Sequence, residues 1–283
     1  MNTSNNLILS RIFTQNTFRE LLENQVDEVY CSSVKRYLDN PETKSNHDLI
    51  NEIYSIMSDQ YRYEYFYKNT ILNKLLLGRH SIKTTTALTE IPISKSKADF
   101  VLINGKAVVY EIKTELDNFE RLDNQIIDYF KAFSRVCVVT GESNYETVLK
   151  KLKDSPVGIC LLTDKNRLST KKEAIEDKSK LDLNVMFKIL RKSEYESIIQ
   201  DYYGKLPHVT QFNHFNTCRE LFCLIDTEIA YKLYLNELKK RNKIDIIEYK
   251  NVPYELKFLI YFSKFKKADY LRLDSFLKNK FGG

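Results

Sequence analysis

One stretch, KADFVLINGKAVVYEIKTELDNFERLDNQIIDYF (97–130), constrains this chain more than any other. Two apolar runs flank Asn104-Gly105, a pair that favours a tight turn between antiparallel strands. Successive residues of a strand point to opposite faces. If the turn has an odd number of residues, Val101, Ile103, Ala107 and Val109 line one face, and Phe100, Leu102, Val108, Tyr110 and Ile112 the other. A hairpin apolar on both faces needs cover on both, which argues against a one-sided surface sheet. Yet Asp99 opens the first strand, and Glu111 and Lys113 end the second.

Register decides whether these three groups meet. A two-residue turn at Asn104-Gly105 would set Asp99 opposite Tyr110, on the face away from Glu111. A loop of Asn104-Gly105-Lys106 sets Asp99 across from Glu111. A type I turn over Ile103-Asn104-Gly105 with a glycine bulge sets them diagonally on one face. The apolar pattern favours either odd loop, with only one end of one face polar. Two carboxylates that close repel and do not both stay ionised without a cation. Oxygen ligands of this kind suit Mg²⁺ or Mn²⁺. A lysine two residues from a metal ligand can stabilise developing negative charge. The plain alternative is a partly exposed strand end with a Lys113–carboxylate ion pair. Charged residues seldom gather on one face of a buried sheet without a task, which favours the metal.

Around the hairpin, residues 16–78 carry helical periodicity broken by DNPETKSNHD, and 83–91 reads as a strand. A helix is expected from about 118 to 133. RVCVVTG (135–141) and VGICLLT (157–163) are unbroken apolar strands on either side of a short helix at 145–154, a pattern of parallel pairing. The expected fold class is α/β: a mixed-sheet core with helices on both faces and mainly helical N- and C-terminal additions. The expected division is a helical extension (1–60), the core (61–163), a charged linker (164–184) and a helical C-terminal region (185–283). In the helix after the hairpin, Gln125 and Tyr129 are four apart and share a face, beside an apolar stripe of Leu122, Ile126, Phe130 and Phe133.

Asp99, Glu111-Ile112-Lys113 and Gln125-x-x-x-Tyr129 together resemble the PD-(D/E)XK nuclease superfamily, in its RecB-type variant, including stand-alone bacterial proteins of that type. The resemblance covers about residues 60–163 and implies a restriction-endonuclease-like core. It implies that Asp99, Glu111 and the carbonyl of Ile112 hold Mg²⁺ or Mn²⁺, with Lys113 as the catalytic amine. Gln125 and Tyr129 would orient the site or touch the nucleic-acid backbone. Members often add an acid before the hairpin. Glu90, at the end of the preceding strand, and Glu64, on the preceding helix, compete for that role, and Glu90 is favoured. Ala98 stands where the superfamily name has proline, as is common in RecB-type members.

The net charge of +6 permits a nucleic-acid partner without demanding one. Basic runs at 239–243 (KKRNK) and 264–267 (KFKK) are candidate phosphate contacts, through Lys239, Lys240 and Arg241, with Arg121 nearer the site. Their competing role is an ordinary solvated face. Five scattered cysteines suit a reduced, cytoplasmic setting. No apolar run reaches a membrane span, and the N-terminus lacks the form of a signal peptide. With seven glycines and no phosphate-cradling loop, NTP hydrolysis is not expected. His208, His214, Cys218 and Cys223 cluster without the spacing of a zinc module, so helix and loop roles are expected. Asp123, Asp128 and Glu115 read as solvated helix charges. The functional expectation is a metal-dependent deoxyribonuclease, with RNA as the alternative substrate. The competing one is a non-catalytic module of the same fold that binds nucleic acid, or a protein partner through its helical C-terminal region.

Overall fold

The computed structural model describes residues 7–60, 62–241 and 244–282. The chain forms two compact units, Met1–Leu77 with Lys243–Gly283, and Gly78–Asn242. The first begins with helices α1 (Leu7–Ile12), α2 (Gln15–Asn24), α3 (Glu28–Tyr37), α4 (Asn46–Gln60) and α5 (Glu64–Ile71). Asp27 caps α3 by accepting from the Tyr30 amide at 2.9 Å, satisfying a donor that the first turn leaves open.

The second unit is built on six strands: β1 (Thr86–Ile93), β2 (Ser96–Asn104), β3 (Lys106–Lys113), β4 (Val136–Gly141), β5 (Gly158–Leu162) and β6 (Leu168–Lys172). They lie in sequential order in one sheet. β1, β2 and β3 are antiparallel, β3, β4 and β5 parallel, and β6 returns antiparallel to β5. The parallel steps are crossed by α6 (Leu122–Phe130) and α7 (Tyr145–Leu152). Right-handed crossovers that advance in one direction put their helices on the same side. Accordingly Leu122, Tyr129 and Phe130 of α6 and Val148 and Leu152 of α7 share one apolar core with Val101, Val109, Val138 and Ile159. That core is completed by α8 (Leu183–Ile189), α9 (Lys192–Tyr203), α10 (Gln211–Cys223) and α11 (Thr227–Lys239).

The hairpin takes the odd register, with Asn104 paired to Lys106 and Gly105 alone between the strands. Ile103 pairs with Ala107 and Phe100 with Tyr110, and Gly105 holds φ +69° at the tip, where a side chain would be strained. Continuing this register one step sets Asp99 across from Glu111. The chain is thus an α/β protein with a six-stranded mixed sheet and helical regions toward both ends.

Two sequence expectations are corrected. The charged stretch 164–184 is not a linker, because it contains the edge strand β6. Lysines and half-exposure, which hid this strand from a search for apolar alternation, are what an edge needs to avoid pairing with other chains. The residues after β6 are tied down by backbone bonds, Ile175 N–H to Pro156 O (2.9 Å), Asp177 N–H to Ser134 O (2.8 Å) and Asp182 N–H to Lys131 O (2.9 Å). The stretch 185–283 is also not one region, since α8–α11 belong to the sheet unit.

The chain then returns to the helical unit with α12 (Ile246–Lys250), α13 (Lys257–Phe262) and α14 (Lys267–Lys278). Buried polar groups close this unit on itself. Tyr30 donates to Asn46 Oδ1 at 2.6 Å, Asn46 Nδ2 donates to the Phe276 carbonyl at 3.0 Å, and Asn69 Oδ1 accepts from the Phe258 amide at 2.9 Å.

Candidate functional site

Glu111 is 2% exposed, on the core face of β3. Burial pushes its carboxyl above the ordinary value, and the Lys113 ammonium and the Tyr129 hydroxyl pull against that rise. Lys113, two residues on and equally inward, places Nζ 3.0 Å from Glu111 Oε1. The same ammonium donates to Gln125 Oε1 at 3.0 Å. Gln125 Nε2 reaches the Tyr129 hydroxyl at 3.5 Å, and that hydroxyl donates to Glu111 Oε2 at 2.5 Å. Four side chains, two from a strand and two from one face of a helix, form a closed ring of hydrogen bonds. Every member donates or accepts in the sense its chemistry requires. The ring fixes both carboxylate oxygens of Glu111, and burial beside that charge raises the Tyr129 pKa, so the phenol stays protonated and donating.

A pair of acids, Glu90 and Asp99, stands beside the ring. Asp99 Oδ2 accepts from the Ile112 amide at 2.9 Å, and Thr89 Oγ1 donates to the Asp99 carbonyl at 2.7 Å. Glu90 and Asp99 offer carboxylate oxygens within 4.8 Å of one another. Glu90 also pairs with Lys97. Its backbone is unusual, at φ +56°, a left-handed conformation costly for a side chain with a Cβ. The β1–β2 ladder steps across it from Thr89–Phe100 to Ile91–Ala98. Leu88 lies in the core, and so do Ile91 and Ile93, so the parity of buried positions changes at Glu90. Strain of this kind persists where the surroundings enforce it, commonly at functional sites.

Of the sequence-predicted residues, the structure therefore brings Glu90, Asp99, Glu111, Ile112, Lys113, Gln125 and Tyr129 to one end of the sheet. Glu64 begins α5 in the helical unit, where it pairs with Lys68 at 2.5 Å. Arg121 is exposed at the N-terminal end of α6. The basic run at 239–243 looks different in the fold. The side chain of Arg241 is 8% exposed, and its guanidinium bonds Glu194 at 2.6 and 2.7 Å and the Ile189 carbonyl at 2.7 Å. Lys240 pairs with Glu237 at 2.5 Å, Lys239 is exposed, and Asn242 and Lys243 lie outside the described residues. Arg241 is a buried structural cation and not a surface phosphate contact. His214 Nε2 lies 2.8 Å from Glu196 and 3.6 Å from Cys218 Sγ, while His208 sits in an exposed loop.

Sequence reasoning missed two residues. Asp128 is not a solvated helix charge. It is 7% exposed and accepts from the Lys95 amide (3.2 Å), Ser96 Oγ (2.8 Å) and Lys131 Nζ (2.7 Å), pinning the β1–β2 turn to α6. Thr140 pairs with Lys113 across β3–β4. It has the parity of the core residues Val136 and Val138, is fully buried, and its hydroxyl has no hydrogen-bond partner among the described residues. A lone threonine ending an apolar strand was the available signal.

These features define an α/β protein with an acidic pair and an acid–amine ring at one end of its sheet. The family of bacteriophage P4 protein cII matches residues 57–255, and the chain belongs to that family. It is similar to protein cII of Enterobacteria phage P4, 25% identical over 171 residues, which cover 58% of this chain and 60% of that protein. The chain thus aligns with about three-fifths of the length of that relative. No solved structure matches.

Proposed function

We propose that the protein is a metal-dependent nuclease that hydrolyses phosphodiesters, with DNA as its substrate. The observation that carries this reading is the closed ring of Glu111, Lys113, Gln125 and Tyr129 beside the Glu90–Asp99 pair. The donor set suits Mg²⁺ or Mn²⁺, being all oxygen, with Asp99, Glu111 and the Ile112 carbonyl as ligands and Glu90 as the added acid. Bound there, such an ion would polarise a phosphoryl oxygen and lower the pKa of a water. Lys97 and Lys113 already supply positive charge to Glu90 and Glu111, which is how these acids stay together in the protein alone. Tyr129 and Gln125 hold Glu111 and Lys113 in fixed orientations. Lys113, released from Glu111, has an ammonium to present to the charge that develops on a phosphate in hydrolysis. The resemblance to PD-(D/E)XK nucleases supports the same roles.

The test is cleavage of defined single-stranded, duplex and branched DNA and of RNA with Mn²⁺ or Mg²⁺. Asp99→Ala, Glu111→Ala and Lys113→Ala should each abolish it, and so should EDTA. Activity that survives all three substitutions would sink the assignment. One observation favours a second reading, a nuclease-fold module that binds nucleic acid or a protein partner without turnover: both oxygens of Glu111 are engaged by the protein itself. Calorimetric titration with Mn²⁺ separates the two, since a retired site binds no better in the wild type than in Glu111→Ala.

A further inference from the structure

Fifteen large hydrophobic side chains are conspicuously exposed among the described residues, and six of them, Tyr202, Tyr203, Leu206, Val209, Phe212 and Phe215, fall within one short stretch. Scattered exposed apolar residues are ordinary, but a concentration like this marks an interaction surface. Helix packing explains its form. Tyr195 meets Phe215 near the starts of α9 and α10, and the Tyr203 hydroxyl donates to the Leu221 carbonyl at 2.8 Å near their ends. The two helices therefore run side by side in the same sense. The connection 204–210 has to travel back along their length, leaving α9 through Gly204 at φ +77°. The result is a strip about 20 Å long, at ~1.5 Å per residue of α10. Tyr202 and Tyr203 stand at one end, and Phe212 and Phe215 at the other.

Charge narrows the occupant. Residues 202–219 contain no acid, in a chain with 38. Lys205 and Arg219 form no ion pair among the described residues, unlike the neighbouring Lys192, Arg191 and Arg241, which pair with Glu196 and Glu194. Phe212, Phe215 and Arg219 follow at three- and four-residue steps, one face of α10. Phe212 is 90% exposed, and Phe215 lays one edge on Phe187 and Tyr195 while staying 44% exposed. Flat rings set among unpaired cations and amides complement a polyanion whose bases are unstacked.

We propose that the strip from Tyr202 to Arg219 binds single-stranded nucleic acid, bases stacking on Phe212 and Tyr202 and phosphates meeting Lys205 and Arg219. As a statement about substrate this rests on the nuclease reading, so binding and cleavage are measured apart. Anisotropy of a labelled fifteen-nucleotide oligothymidylate and of a duplex of equal length, in EDTA, reads binding alone. The oligothymidylate should bind more tightly than the duplex. Phe212→Ala with Tyr202→Ala should weaken it at least about 5-fold, and Phe212→Ala alone should weaken it without changing the melting temperature, because the Phe212 ring is solvated. Lys205→Glu with Arg219→Glu should weaken it and flatten its salt dependence. Equal affinity in the aromatic variant, or no preference for the single strand, overturns the proposal. So does a wild-type dimer in light scattering that Phe212→Ala makes monomeric, which would assign the strip to a second copy. Binding that depends on the strip without any Mn²⁺-dependent cleavage would keep this proposal and retire the nuclease. Cleavage of single strands that ignores the aromatic variant would do the reverse.

Discussion

Replacing Lys113 with methionine tests the electrostatics of the ring directly. Methionine keeps most of the lysine's apolar stem and removes only its charge and donors. Glu111 then remains 2% exposed with its opposite charge gone. Breaking a buried pair by removing one partner costs about 3–5 kcal/mol. At about 2–4 °C per kcal/mol for a domain of this size, the melting temperature should fall by roughly 6–20 °C at neutral pH. The loss should depend on pH, with a definite sign. Burial raises the Glu111 pKa above its ordinary 4.5. A carboxyl raised in the folded state favours folding most below its unfolded value, and that benefit is lost as pH rises through the folded value. Without Lys113 the folded value rises further, so the deficit of the variant should shrink toward acid pH and grow toward neutrality. Adding Glu111→Gln to Lys113→Met removes the uncompensated charge and should restore most of the stability at pH 7, a double-mutant cycle read by calorimetry. Under the metal-site reading, Mn²⁺ should also raise the melting temperature of Lys113→Met more than that of the wild type. A single variant that melts within about 2 °C of the wild type, less than the shift of 1 kcal/mol, would refute the account of Glu111 as a charge held by Lys113. So would a double variant that recovers nothing.

Glu90→Gly and Glu90→Ala both lose the partly exposed ion pair with Lys97, but only glycine relieves the left-handed backbone, so Glu90→Gly should melt above Glu90→Ala, while both bind Mn²⁺ more weakly in calorimetry. A glycine variant that melts no higher than Glu90→Ala would count against the strain argument. Thr140→Val removes a buried hydroxyl that has no partner among the described residues, so it should raise stability by about 1 kcal/mol, whereas its Mn²⁺-dependent cleavage should fall if that hydroxyl belongs to the site. Thr140→Ser, which keeps the hydroxyl, separates chemistry from packing. Arg241→Ala should cost about 3–5 kcal/mol in denaturant unfolding by stranding Glu194, and should leave the salt dependence of nucleic-acid binding unchanged.

What could be read from the sequence follows the range over which its patterns act. The hairpin register was legible because strand parity is local: only an odd loop keeps Asp99 and Glu111 on one face, and the loop is odd. That Gln125 and Tyr129 share a face was legible because residues four apart lie about one helical turn from each other, but that they would close a ring with Glu111 and Lys113 was not. Arg241 was misread because its partner Glu194 lies 47 positions away, and a basic run looks the same whether solvated or paired. The helical unit was misdivided for the same reason: periodicity reveals which face of α4 is apolar, but not that Asn46 will meet the Phe276 carbonyl, 230 positions on. The strip on α10 shows a further limit. Phe215 and Phe222 are seven apart and Phe212 is three before Phe215, so all three read as one apolar stripe. Phe222 is fully buried and Phe212 is almost bare. Periodicity gives the direction in which a side chain points but not the place along the axis where its cover ends. That boundary, set by tertiary packing, is what turns the N-terminal part of a core stripe into a surface able to meet a partner.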